Sequence, residues 1–198
     1  MCPQKGALEN PRRLGRPVGR GPQNGRFEDL SETCEAGAVG LPQKYDIGTR
    51  MIGPLPFDAL STSDLYQILQ VRAEVFVVEQ ECPYQDLDGK DQACLHIWTQ
   101  DDAGITAYAR LLPPGLTYPE AGIGRVVTAG RVRNTGLGKE LMRQAIIACQ
   151  PQWPGKDIVI MAQSYLLAFY QSFGFVEERA EFLEDGIPHR WMRLTRQS

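Results

Sequence analysis

No hydrophobic run in this 198-residue sequence approaches the roughly 20 apolar residues that a membrane-spanning helix needs. A surplus of positive charge is also missing, because 21 Lys and Arg residues face 24 Asp and Glu residues and the net charge is -3. Proteins that coat nucleic acid non-specifically carry such a surplus. We therefore expect neither a membrane nor a nucleic acid among the partners.

Closely spaced cysteine pairs are absent as well. No two of the cysteines have the CxxC spacing that is typical of zinc ribbons and redox motifs, and they lie scattered at Cys2, Cys34, Cys82, Cys94 and Cys149. The sequence therefore predicts no metal site. Unpaired thiols and the lack of a signal-type apolar region favour a cytoplasmic location.

Acidic and large apolar residues are nearly absent from residues 1–26, where six basic residues accompany one acidic residue, Glu9. Such a segment buries too little surface to offset the entropy lost on ordering. Residues 1–50 are therefore predicted to be a disordered Gly/Pro/Arg-rich extension. A mitochondrial transit peptide is the alternative, although the many prolines and glycines disfavour an amphipathic helix.

Helical and strand patterns alternate in the remaining residues, 51–198. Ser61 followed by Asp64 is typical of a helix start, and apolar residues at helical spacing continue to Phe76. The acidic stretch 79–91 indicates a loop. Strands are then predicted at 94–100, 105–112, 123–128, 158–161, 175–182 and 189–194, with helices at 137–149 and 164–173. This order predicts a single domain of the α/β class, in detail an α+β mixed sheet covered by helices.

Residues 123–139 carry the strongest functional signal, because a strand pattern leads through a glycine-containing loop directly into an amphipathic helix. The free N–H groups and the dipole at a helix start favour a phosphate or diphosphate. An ATP-binding Walker loop is disfavoured, because Arg133 stands at its first glycine position and Glu140 follows Lys139. A dinucleotide fingerprint is disfavoured, because Leu141 stands where its third glycine is required.

The sequence Arg-Asn-Thr-Gly-Leu-Gly at residues 133–138 resembles the Arg-x-x-Gly-x-Gly acetyl-CoA signature of the GNAT superfamily of N-acetyltransferases. Residues 169–175 resemble the family's second signature, a helix that carries a tyrosine and is followed by Gly-Phe. Further stretches resemble the ElaA-like branch of the family, and they lie at residues 75–80, 83–89, 123–126, 162–163 and 184–189. The resemblance covers nearly all of residues 52–195.

This resemblance implies the GNAT acyl-CoA N-acyltransferase fold, in which strands 123–128 and 158–161 splay apart. It implies transfer of an acetyl group from acetyl-CoA, the co-substrate, to a primary amine in a ternary complex. The residues implied in binding acetyl-CoA are Val126, Val127, Thr128, Arg133, Asn134, Thr135, Gly136, Leu137, Gly138, Lys139 and Gln163. Tyr170 would be the general acid that protonates the departing CoA thiolate.

The general base is left open by the sequence. Many family members place a glutamate on the strand before the loop, where this chain has Gly124 and Arg125. Glu79 is the first substitute, because it follows the first helix, where the acceptor cleft is expected to begin. His96 and His189 are the next candidates.

The acceptor is expected to be a small-molecule or peptide amine, and the protein a monomer or homodimer. The acidic loop either attracts a cationic acceptor such as a polyamine or a lysine-bearing peptide, or forms a solvated surface. The aromatic residues Tyr84, Trp98, Tyr108 and Trp191 either line an acceptor pocket or form core. Because the strand glutamate is missing, a non-catalytic acyl-CoA-binding or protein-interaction domain on the GNAT scaffold remains the alternative function.

Overall fold

A mixed sheet of eight strands forms the centre of the computed structural model, which describes residues 48–196. The strands are β1 (Arg50–Pro56), β2 (Leu95–Asp101), β3 (Gly104–Leu112), β4 (Ala121–Thr128), β5 (Ile158–Gln163), β6 (Val176–Glu177), β7 (Phe182–Glu184) and β8 (Ile187–Leu194). Their spatial order is β1-β2-β3-β4-β5-β8-β6, and β7 also pairs with β8. The expectation of a disordered extension falls on residues 1–47, which lie outside the described residues, and on residues 48–50, of which Arg50 is instead the first residue of β1.

Three α-helices accompany the sheet: α1 (Thr62–Arg72), α2 (Leu137–Gln152) and α3 (Leu167–Gln171). The Ser61 hydroxyl accepts a hydrogen bond from the Asp64 N–H at 3.0 Å, as the capping pattern predicts. Beyond Arg72 the helix widens into a π-helix, Ala73–Glu79. Among the described residues, no helix has both the length and the apolar character that a membrane span requires.

Apolar side chains alternate between the two faces of the sheet, as the period of a β-strand requires. On β2, Ile97 contributes to the core beneath α2, whereas the adjacent Trp98 packs in the core beneath α1. On β3, Ala107 and Tyr108 divide between the same two cores. The sheet is therefore covered on both faces, which confirms the predicted mixed α/β architecture.

Two details differ from the sequence patterns. Strand β1 precedes α1 although Gly53 and Pro54 disfavour a strand, and its position at the edge of the sheet tolerates them because an edge strand needs fewer backbone donors. The predicted strand 175–182 is two strands, because Val176 pairs with Arg193 whereas Phe182 pairs with His189 at the other end of β8.

A buried cluster of ion pairs fixes the loop between the π-helix and β2. We call it the arginine–aspartate cluster; its members are Arg72, Arg110, Arg125, Asp86, Asp88 and Asp91. Arg72 Nε lies 2.9 Å from Asp86 Oδ2, and Arg110 Nη2 lies 2.7 Å from Asp88 Oδ2. Burial opposes ionisation of Asp91, but Arg72 and Arg110 outweigh it and lower its pKa.

These contacts correct one interpretation of the acidic loop. Asp86 and Asp91 are buried rather than solvated, and their charges are already paired with arginines. A cationic acceptor therefore finds neither carboxylate free.

Replacing Arg72 by methionine is expected to lower the free energy of unfolding by about 3 kcal/mol or more, because it leaves buried aspartates short of a charged partner. The matched control is Arg131→Met, since Arg131 pairs with Asp101 at a side-chain exposure of 40%; it should cost less than about 1 kcal/mol. Urea unfolding of both variants measures the difference. Equal losses would contradict a stabilising role for the cluster.

Candidate active site

Strands β4 and β5 run parallel but pair only at their start, where Ala121 faces Ile158 and Gly122 faces Val159. Beyond these two pairs the strands diverge, as the resemblance to GNAT proteins implies. A β-bulge bends β4 at this point: Tyr108 pairs with Val127 and Arg110 with Gly124, so two residues of β4 face one residue of β3. The divergence opens a gap in the sheet.

The gap leads into a cleft of about 780 Å³. Val126 of β4, Gln163 of β5 and Tyr170 of α3 all line it. The loop after the π-helix and the turn between β7 and β8 border it, and Cys82 Sγ of the loop lies 3.8 Å from the Asp185 carbonyl oxygen of the turn. The cleft is thus enclosed by segments that are far apart in the chain.

The aromatic candidates divide between cleft and core. Tyr84 and Trp191 line the cleft, together with Phe76 and Tyr118. Trp98 and Tyr108 are fully buried in the core beneath α1. The cleft therefore offers flat apolar surface on several sides.

The glycine loop follows β4 and ends at the first residue of α2. Gly136 adopts a φ of 89° immediately before the helix, a conformation that favours glycine. At Gly138 a Cβ atom would lie 2.8 Å from Thr128 Oγ1, so the missing side chain lets the helix start approach the end of β4. The Leu137 side chain is buried, and its backbone N–H donates a hydrogen bond to Thr135 Oγ1 at 3.4 Å.

Free backbone donors remain at this helix start. The N–H groups of Lys139 and Glu140 bond to the Gly136 carbonyl oxygen. Within residues 48–196, the N–H groups of Asn134, Gly136 and Gly138 form no hydrogen bond. Such donors at the positive end of a helix dipole can bind a phosphate or diphosphate group.

Arg133 connects the glycine loop to the end of β4 and to the last residue of the π-helix. Its Nε donates to the Thr128 carbonyl oxygen at 3.2 Å, and its Nη2 donates to Glu79 Oε2 at 2.8 Å. The hydrogen bond from Arg133 lowers the pKa of Glu79. Lys139 is exposed on the first turn of α2. The structure therefore brings the predicted basic residues to one end of the helix, with Arg133 already engaged.

Tyr170 lies in the wall of the cleft with its ring packed edge-on against Phe169 at 5.1 Å between ring centroids. Burial raises its pKa, so the phenol keeps its proton at neutral pH. Gln163, the last residue of β5, donates from Nε2 to Gln80 Oε1 across 3.1 Å. Both residues face the cleft, as the sequence predicts for parts of one site.

The three candidate bases lie in different surroundings. His96 is 1% exposed and does not line the cleft; its Nδ1 contacts Tyr108 Oη at 2.8 Å, and burial lowers its pKa. Glu79 is held by Arg133 and is not a cleft residue either. His189 does line the cleft, and its Nδ1 lies 2.8 Å from the Ile187 carbonyl oxygen. Because a carbonyl oxygen only accepts, Nδ1 is the donor in this contact, and Nε2 has no hydrogen-bond partner within residues 48–196.

Two residues of the cleft were missed by the sequence patterns. Arg125 occupies the bulge of β4, and Gln80 bridges to Gln163. The departure from the family pattern at Gly124-Arg125 marked the position of Arg125, but no spacing signal showed that its side chain enters the cleft.

Comparison with known proteins follows from this geometry. A sequence model of the acetyltransferase (GNAT) domain matches residues 63–196. The chain belongs to the GNAT acetyltransferase family. Protein ElaA of Escherichia coli is 44% identical over 134 residues, which cover 66% of this chain and 86% of ElaA.

Solved structures agree with this assignment. The crystal structure of an acyl-CoA N-acyltransferase from Pseudomonas aeruginosa superposes with a TM-score of 0.68 at 39% identity, and that of Escherichia coli ElaA with 0.67 at 40% identity. Each match covers 73% of this chain and 97% of the other. The GNAT fold and the ElaA-like resemblance are thereby confirmed. Membership of this family supports acyltransferase activity and binding of an acyl-CoA.

Gly138→Val is expected to weaken CoA binding at least tenfold, about 1.4 kcal/mol, because Thr128 and the helix start would have to move apart. Gly130→Val is the matched control, since a Cβ atom at Gly130 meets nothing within 4 Å. Isothermal titration calorimetry measures both affinities, and melting temperatures show whether the fold is kept. Equal affinity in the two variants would remove the glycine loop from the binding site.

Proposed function

We propose that this chain is an N-acetyltransferase that uses acetyl-CoA and acetylates a primary amine by direct attack in a ternary complex. The observation that supports it most is the divergence of β4 and β5, which opens a cleft lined by Val126, Gln163 and Tyr170. A thioester held between the strands would lie where an acceptor in the cleft can reach it. We also propose a cytoplasmic location, which the free Cys82, Cys94 and Cys149 support.

Binding of the coenzyme is assigned to two sets of groups. The free N–H groups of Asn134, Gly136 and Gly138 would hold the diphosphate, with charge supplied by Arg133 and Lys139. The backbone groups of Val126 and Thr128, on the edge of β4 that no longer pairs with β5, would pair with pantetheine amides. A backbone N–H at Val126 or Val127 would stabilise the negative charge that develops on the thioester oxygen.

Tyr170 is the proposed general acid. Its phenol faces the cleft and stays protonated, so it can donate a proton to the sulfur as the C–S bond breaks. With ordinary pKa values near 10 for tyrosine and 8.5 for a thiol, the transfer is uphill by about 2 kcal/mol. Burial increases this difference, and cleavage of the tetrahedral intermediate must supply the driving force.

His189 is the base that the cleft supports best, because its Nε2 is an acceptor and its ring borders the cavity. Glu79 would first have to leave Arg133, and His96 would have to leave the core. The demand on the base depends on the acceptor. An α-amine with a pKa of about 8 loses its proton at a cost of only about 1 kcal/mol at neutral pH, whereas a lysine amine costs about 4–5 kcal/mol.

Tyr170→Phe is expected to lower kcat about 100-fold or more, because the thiolate then leaves without a proton donor. The Kd for CoA should change less than twofold, since the ring remains in place. Tyr66→Phe is the matched control, because Tyr66 is 70% exposed on α1. Thiol release from acetyl-CoA with a panel of amines measures turnover.

Two results would count against this assignment. Equal turnover in the Tyr170→Phe and control proteins would remove Tyr170 from the mechanism. Tight binding of CoA without thiol release for any amine would overturn the proposed enzyme and favour the non-catalytic alternative.

A further inference from the structure

We propose that the acceptor of this enzyme carries a carboxylate beside its primary amine, and that the Arg125 guanidinium binds this carboxylate. The inference rests on the N-acetyltransferase function proposed above. It concerns the same cleft and names the chemical class of molecule that enters it.

The backbone of β4 directs Arg125 into the cleft. Arg125 has a φ of 50°, in the left-handed region that non-glycine residues rarely adopt. It lies in the β-bulge, next to Val126, and bulges turn a side chain away from its regular direction. Its side chain lines the cleft and is 23% exposed. A cation therefore stands beside the strand edge at which we place the thioester.

The Arg125 guanidinium is held through Nε and Nη2, and Nη2 also lies 3.6 Å from Asp88 Oδ2. Nε lies 2.7 Å from Asp86 Oδ1, Nη2 donates to the Asp86 carbonyl oxygen at 3.1 Å, and the Tyr84 ring lies 5.7 Å from the guanidinium carbon. In the part of the chain that the structure describes, Nη1 has no hydrogen-bond partner. The group is thus fixed in orientation and keeps donors for a ligand.

The neighbouring carboxylates are already occupied. Asp86 Oδ1 accepts from Tyr84 Oη at 2.9 Å, and Asp86 Oδ2 accepts from Arg72. Asp88 binds Arg110 with both oxygens at 2.7 Å. Arg110 is 3% exposed and lines the cleft, yet its Nε has no partner within the described residues. The unpaired groups in this part of the cluster are therefore arginine donors, which suit an anionic ligand better than a cationic one.

The cleft also carries charged residues of both signs on different sides, which suits a zwitterionic acceptor. Lys90 lines the cleft from the loop after the π-helix, whereas Glu184 and Asp185 line it from the turn between β7 and β8. These exposed acids would attract the ammonium group of an incoming amino acid, whose carboxylate Arg125 then takes. A polyamine would instead meet the guanidinium with a second cation.

Arg125 also bears on the protonation of the acceptor. A positive charge near an amine disfavours its ammonium form and lowers its pKa. The free amine of an acceptor beside Arg125 is therefore favoured by the field of this guanidinium.

The test compares amino acids with their amides, which lack the anionic group and carry a less basic amine, so rates are compared at equal concentrations of the unprotonated amine. Alanine, leucine and phenylalanine, their three amides, and spermidine serve as acceptors at saturating acetyl-CoA. We expect at least one amino acid to exceed its amide tenfold in kcat/KM. Arg125→Gln should lower kcat/KM for that amino acid at least tenfold, mainly by raising KM. The kcat/KM for the corresponding amide should change less than twofold.

Two further variants separate binding from a structural role. Arg125→Lys should restore part of the preference for the carboxylate, because it restores the charge. Arg190→Gln removes an arginine that pairs with Glu177 outside the cleft lining, and it should keep the preference unchanged. CoA affinity, measured by calorimetry for each variant, shows that the coenzyme site is intact.

The proposal is overturned if the wild-type protein favours the amides or spermidine, or if Arg125→Gln lowers the rates for amino acid and amide by the same factor. If no acceptor leads to release of the CoA thiol, the inference is tested by binding alone. Calorimetry then compares the affinities of the protein–CoA complex for the amino acid and for its amide. Preferential binding of the amino acid then supports this inference while the proposed function fails. Failure of both ligands to bind overturns the inference as well.

Discussion

The early end of pairing between β4 and β5 is the constraint on which the rest of this structure depends. Neighbouring strands of the described sheet pair antiparallel except at this junction, where the pairing is parallel and stops after Gly122 and Val159. Backbone N–H and C=O groups that would pair with each other in a continuous sheet become available to a ligand. The end of β4 also lies against the helix start of α2, so the proposed coenzyme site and the cleft both adjoin this distortion.

The arginine–aspartate cluster keeps that distortion in place. Arg72 comes from α1, Arg110 from β3 and Arg125 from the bulge of β4, and all three bind the loop that borders the cleft. Buried ion pairs contribute little net stability compared with apolar contacts, but they are costly to break singly. The cluster therefore fixes one position of the loop. Arg125 belongs both to this framework and to the surface that an acceptor meets.

Much of the coenzyme site could be predicted from the sequence, because its chemistry is local. The spacing of Gly136 and Gly138 before an apolar helix pattern already indicates free N–H groups, and the structure supplies the reason for the second glycine in the contact with Thr128. Tyr170 could be found from its signature. The bases could not be ranked: His96 and His189 look alike in sequence, yet one bonds Tyr108 in the core and the other borders the cleft.

The sequence by itself determined the helix starts, the order of most elements, the glycine loop and the GNAT family of the chain, since these depend on residues only a few positions apart. Tertiary structure alone decided that β1 joins the edge of the sheet, that the acidic loop is neutralised and that Arg125 enters the cleft. Arg72 and Asp91 are 19 residues apart, and Arg125 and Asp86 are 39 apart. The burial and charge of such groups depend on which distant segments pack together, and no local pattern encodes that.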